Sequence, residues 1–195
     1  MGEIADKIIG LTAARRANAA IIEAEFKAAG YTGAVAAAAM VNSLAESALN
    51  ERAVGDNGAS IGLFQMNRVA GAGRGHSVEE LMDPTSNVRI LLKVEKKALD
   101  KIQAAVKAGA GIAEAAGLFA QYVERPRDTL GEKARRAAST ARYFPAAALS
   151  AIESGASGVI SKVAFPLGAA VFAVAGGVGV VFAIRQVKKR KAKAL

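Results

Sequence analysis

The chain has no cysteine, no tryptophan, one histidine and four prolines in 195 residues. The missing cysteine excludes disulfide scaffolds, thiolate metal sites and Cys nucleophiles together. His76 is the only imidazole and lies in a Gly-rich loop, so Ser-His-Asp catalysis and multi-histidine metal binding lack their partners. Neither a metal nor a cofactor is expected, and chemistry falls to carboxylates, hydroxyls or the backbone. Aromatic residues make up 5% of a chain that is 52% hydrophobic. The apolar content is therefore Ala, Val, Leu and Ile, the composition of helices rather than of sandwiches or barrels. Acids are also short, with 17 Asp and Glu against 26 Lys and Arg and a net charge of +9.

Charge and apolar residues are unevenly placed. Residues 163–184, VAFPLGAAVFAVAGGVGVVFAI, carry no charged or hydrogen-bonding side chain. As a helix, this run is about 33 Å long and apolar on all sides, which predicts a transmembrane segment rather than a one-striped core helix. Pro166 kinks such a helix near its start, and Ala173 with Gly177 offers a weak small-residue contact for a second copy. Residues 185–195 follow as a basic tail in which Arg185, Lys188, Lys189, Arg190, Lys191 and Lys193 hold six of the nine net charges. A basic flank of this kind prefers the cytoplasmic or interior side of a membrane. It also suits nucleic-acid phosphates, but next to an apolar span the membrane reading is preferred and no specific nucleic acid is expected. The first ten residues show no secretory signal.

The remainder reads as mainly α. Residues 1–29 predict an N-terminal helix with Ile4, Ile8, Leu11, Ala19, Ile22 and Phe26 on one face, closed by Gly30. Thr32 is placed to cap an Ala-rich helix ending near Glu46. Residues 48–67 break the helical pattern, and Gly55, Asp56, Asn57 and Gly58 supply turn chemistry for a small β-hairpin or extended excursion. After a Gly-rich loop, Ser77 and Glu80 form a capping-box pattern. Helices are then expected over residues 86–107, over 112–123 and from Pro126 to about Tyr143, with a linker over 146–162 that begins with a short helix.

Glu46 is the first candidate for chemistry. At the end of an almost wholly apolar helix, desolvation favours the protonated carboxyl, which a general acid needs. The alternative is a solvent-facing Glu at a helix end. Asp56 is the nearest second carboxylate, although Asp in a Gly-flanked turn is also favoured for the turn alone.

Ala45-Glu46-Ser47, followed by Gly55-Asp56-Asn57-Gly58-Ala59-Ser60-Ile61-Gly62-Leu63-Phe64-Gln65, resembles the signature of the lytic transglycosylase and goose-type lysozyme superfamily, in its phage-tail-type lysozyme branch. Asp83-Pro84 with Asn87 is similar to the start of that family's next helix. Phe119 to Pro126, with Arg135, Arg136 and Ala141, resembles the region closing its groove. The resemblance covers residues 30–145 and implies a lysozyme-like catalytic domain that cleaves the β-1,4 bond between N-acetylmuramic acid and N-acetylglucosamine in peptidoglycan. It implies Glu46 as the catalytic acid, Ser47 and Asp56 as supporting residues, and Gly62, Phe64, Gln65 and Tyr122 as substrate-binding. The family's usual Ala-Tyr-Asn pattern around Tyr122 is absent.

A lone Glu acting as acid and then base gives a 1,6-anhydro product, whereas hydrolysis needs a second carboxylate. The expectation is thus a membrane-anchored lytic transglycosylase of a phage virion that opens the host wall during genome entry. Its partners are glycan strands, a viral or bacterial inner-membrane bilayer, and other virion proteins or a second copy through the membrane helix. The alternative is an inactive lysozyme-like structural or pore-forming virion membrane protein.

Overall fold

Helix α2 (Gly33–Ser47) is the element around which the others are laid, and every residue from Ala34 to Leu44 is buried. Its alanines present little bulk on any side, so neighbouring helices approach from all round instead of covering one stripe. A computed structural model describes residues 2–156. In it, α1 (Ala13–Ala28), α5 (Lys96–Lys107), α6 (Ile112–Phe119), α7 (Thr129–Tyr143) and α8 (Ala146–Ala156) all pack on α2.

The expected N-terminal helix is interrupted. A 3-10 turn over Ala5–Lys7 leads through Gly10, at φ +75°, to Thr12, whose hydroxyl caps α1 by accepting from the Arg15 amide. The turn is folded back by Glu23, whose Oε2 accepts from the amides of Ile4 and Ala5 at 2.9 and 3.0 Å. Ile4, Ile8, Ala19, Ile22 and Phe26 are nevertheless all buried. Thr32 stands at the N-cap of α2 without capping it, because its hydroxyl and amide both donate to Gln103 Oε1 of α5 at 3.1 Å.

Past α2 the expected excursion is a three-stranded antiparallel meander of two-residue strands, β1 (Val54–Gly55), β2 (Ser60–Ile61) and β3 (Met66–Asn67). Val54 faces Ile61 and Ser60 faces Asn67. Ser77 caps α3 (Val78–Met82) through the Glu80 amide, and Asp83 caps α4 (Pro84–Val94) through the Ser86 amide at 2.7 Å with Pro84 in the first turn.

Three helix boundaries depart from expectation. The run over 86–107 is two helices, α4 and α5, parted at Glu95, whose backbone (φ −98°, ψ 15°) turns its side chain inward to Arg125. The helix expected to reach Val123 is regular only to Phe119 and closes with a π turn, Ala120–Glu124, sealed by the Arg125 amide on the Ala120 carbonyl at 2.9 Å. Helix α7 starts after Asp128, whose carboxylate accepts from the Gly131 amide, rather than at Pro126. The run 163–184 and the tail lie outside the described residues. Among the described residues no helix is long and apolar enough to cross a membrane.

Candidate active site

Glu46 sits in the last turn of α2, and the chain leaves that helix abruptly. Ala48 and Leu49 both take left-handed backbone angles, at φ 55° and 58°. Such angles cost about 1–2 kcal/mol per residue for side chains of this kind. They are held because Leu49 is fully buried and its carbonyl accepts from the Asn18 amide nitrogen at 2.9 Å. The hairpin is tied to the same helix end by two hydroxyls. Ser43 and Ser47 both donate to the Leu63 carbonyl, at 3.0 and 2.8 Å. Ser47, implied as a supporting residue, therefore fixes the backbone beside Glu46, its hydroxyl bonding the Ser43 and Leu63 carbonyls rather than the carboxylate.

The group on the Glu46 carboxylate is Arg136 of α7. Its Nη2 donates to Glu46 Oε1 and, at 2.9 Å, to Glu124 Oε2. Its Nε donates to Asn42 Oδ1 at 3.0 Å, and its Nη1 lies 2.7 Å from Glu132 Oε1. Asn42 is fully buried one turn ahead of Glu46 and anchors itself on the Ala38 and Ala116 carbonyls. One guanidinium thus serves three carboxylates, with its own side chain 11% exposed.

Burial dominates the electrostatics. It lifts the Glu46 carboxyl above its ordinary range, with Glu132 and Asp56 adding repulsion, while Arg136 and a hydrogen bond from Glu124 pull the other way. It pushes Glu124 up to about 7, against the same arginine and with help from Glu46.

Glu46 and Glu124 both line a cleft of about 230 Å³. One wall is apolar, with Phe64 stacked on Phe119 at 6.0 Å between ring centroids, together with Leu91 and Val123. Gln65, Met66 and Asn67 from the hairpin and Ala70 to Ala72 from the Gly-rich loop form another wall. Gln65 is held there by donating to the Ala53 and Gly62 carbonyls at 3.2 and 3.1 Å. Glu95, paired with Arg125 at 2.5 Å, completes the lining.

Three of the residues singled out in the sequence lie elsewhere. Gly62, at φ +81°, does not line the cleft, and any side chain there would overlap the Leu81 carbonyl and the Asn87 amide, so the close approach it permits is internal to the protein. Asp56 is exposed in a 3-10 turn and accepts from the Ser60 hydroxyl at 2.5 Å. Tyr122 lies beneath Lys101, 5.5 Å from Nζ to the ring centroid, and does not line the cleft. Conversely, Arg136, Glu124 and Arg125, which the sequence offers only as part of the region closing the groove, are paired side chains of the site, Glu124 with Arg136 and Arg125 with Glu95. The second carboxylates on the cleft are Glu95 and Glu124, not Asp56.

A helical domain with a small hairpin, an apolar cleft and a half-buried carboxyl at a helix end is a framework of the lysozyme class. A sequence profile of the phage tail lysozyme family matches residues 17–146, and the chain belongs to that family. Membership carries the family's general activity, degradation of peptidoglycan, and agrees with association with a virion. Curated proteins and solved structures yield no match.

Proposed function

We propose that the protein is a lytic transglycosylase in which Glu46 serves as both acid and base. In its protonated form Glu46 gives its proton to the glycosidic oxygen as the bond to muramic acid C1 breaks. The resulting carboxylate takes the proton of the muramic acid C6 hydroxyl as that oxygen bonds to C1. A 1,6-anhydro sugar leaves, and Glu46 is again protonated with no water consumed.

The observation that carries this reading is the state of the other carboxylates on the cleft. Glu124 accepts from the same arginine nitrogen as Glu46, so a guanidinium, not a sugar, fills the space between them. Glu95 is covered by Arg125. Hydrolysis needs a second carboxylate across the scissile bond, free to activate water or attack C1, at about 5–9.5 Å depending on outcome. The wider role we propose is wall opening by a virion component during genome entry, with residues 163–184 as a bilayer anchor. That anchor rests on the length and uniform apolarity of the run.

Digestion of purified peptidoglycan by the full chain and by Glu46→Gln, with mass spectrometry of the released fragments, tests the chemistry. Anhydro ends that disappear in E46Q are expected. Reducing ends would instead identify a hydrolase, and E95Q and E124Q would then locate its second carboxylate. No release by folded wild-type protein would favour an inactive structural role.

A further inference from the structure

The cleft holds a second acid for which a single-residue mechanism has no use. Glu124 reaches it only because the π turn carries it there, and its Oε1 is buried with no hydrogen-bond partner. An ionised oxygen left bare in a buried site is costly, and the neutral carboxyl is the cheaper state. Its neighbours enforce the same state. From α2 comes Glu46, from α7 come Glu132, Arg135 and Arg136, and the α4–α5 junction contributes Glu95, already matched by Arg125. Asp56 acts on Glu46 from the hairpin, and the exposed Asp128 lies 3.5 Å from Arg135. On Arg136 itself three carboxylates, Glu46, Glu124 and Glu132, meet one guanidinium, and Arg135 is shared between Glu132 and Asp128, so full ionisation leaves the cluster net negative and an added proton relieves it.

We propose that Glu124 is a positioning residue that shares one proton with Glu46 across Arg136 and so keeps a proton on the pair, within reach of the catalytic carboxyl, at neutral pH. The shared nitrogen sets the two carboxylates side by side, so ionisation of one opposes ionisation of the other. Burial raises both groups, and beyond it a hydrogen bond from Glu124 lowers Glu46 while the charge of Glu46 raises Glu124, the pattern of two carboxyls that hold one proton between them. Without Glu124 the pair loses the carboxyl that retains the shared proton, and Glu46 faces Arg136 alone, which favours the carboxylate, a form useless as an acid. The inference rests on Glu46 being the acid of the proposed reaction.

The test is the pH dependence of kcat/KM on purified peptidoglycan for the full chain, comparing wild type, Glu124→Gln and Glu124→Asp. Glutamine keeps an acceptor for Arg136 and removes the ionisable group. The alkaline limb of E124Q should move down by about one pH unit, with activity above the limb about tenfold lower and activity at acid pH close to wild type. E124D should restore the limb at least in part. An E124Q profile superimposable on wild type, with E46Q inactive, would overturn the sharing and leave the acid assignment intact, whereas an active E46Q would overturn the assignment itself. Carbon-13 NMR of labelled glutamate carboxyls in the unmutated chain gives a reading independent of variant folding. Two linked steps, the later near pH 7, are expected, and ordinary independent titration of both groups near 4.5 would refute the proposal.

Discussion

Replacing Arg136 by Met tests the central electrostatic claim through stability rather than activity. Methionine matches the length of the buried stem and removes the charge. The loss comprises the Nε bond to Asn42 and the contacts to Glu46, Glu124 and Glu132. Removing one partner of a buried ion pair costs about 3–5 kcal/mol, because the remaining charge is left uncompensated. At about 2–4 °C per kcal/mol for a chain of this size, Tm should fall by roughly 6–20 °C at pH 8.

The effect should depend on pH with a definite sign. Glu124 titrates at about 7 in the folded protein against an ordinary 4.5. A carboxyl whose folded pKa is raised contributes stability that is complete below 4.5 and lost as pH rises through 7. In R136M the raising is stronger, because the cation that favours the charged form is gone. At pH 4.5 the clustered carboxyls take up protons, and what remains is chiefly the unpaired Asn42 oxygen, about 1–3 kcal/mol. Thermal melts of R136M and wild type at pH 4.5 and 8, followed by circular dichroism, should therefore show a markedly smaller difference at the lower pH. An equal drop at both would refute the argument from uncompensated carboxylates.

Two further expectations follow from the scaffold. Gly62→Ala should lower stability by several kcal/mol, because it forces a left-handed alanine into the Leu81 carbonyl and the Asn87 amide, and calorimetry should show the drop with KM little changed in whatever fraction remains folded. Ser43→Ala and Ser47→Ala should each cost about 1 kcal/mol in denaturant melts, and the double variant more than either, since both hydroxyls serve the Leu63 carbonyl and each single variant leaves it one donor.

Helix α2 and the position of Glu46 were legible in the sequence because an almost wholly apolar run must be buried, and a carboxylate at its end then falls where the burial stops. The hairpin was legible for a local reason too, since its turn residues lie together in the chain. What escaped was set by contacts between distant segments. The fold-back before α1 depends on Glu23 meeting two amides nearly twenty residues away. At the parting of α4 from α5, Glu95 pairs with Arg125, thirty residues further on. Arg136 lay within a run of charge that reads as surface. One signal was available, because Glu132, Arg136 and Thr140 recur at four-residue spacing, which puts a polar stripe on the face of α7 that turns inward.

The π turn at Ala120–Glu124 makes the position of Glu124 a matter of counting residues. Each residue of a regular helix advances the chain by about 100° around its axis, so shortening this segment by one residue and letting α6 run on would swing everything after it by that angle. Glu124 would leave the cleft without a single change in residue type, and Arg125 would leave Glu95 with it. Insertion and deletion here are thus a coarse dial on the chemistry, able to remove the second carboxyl in one step that substitution-based comparison of sequences would pass over.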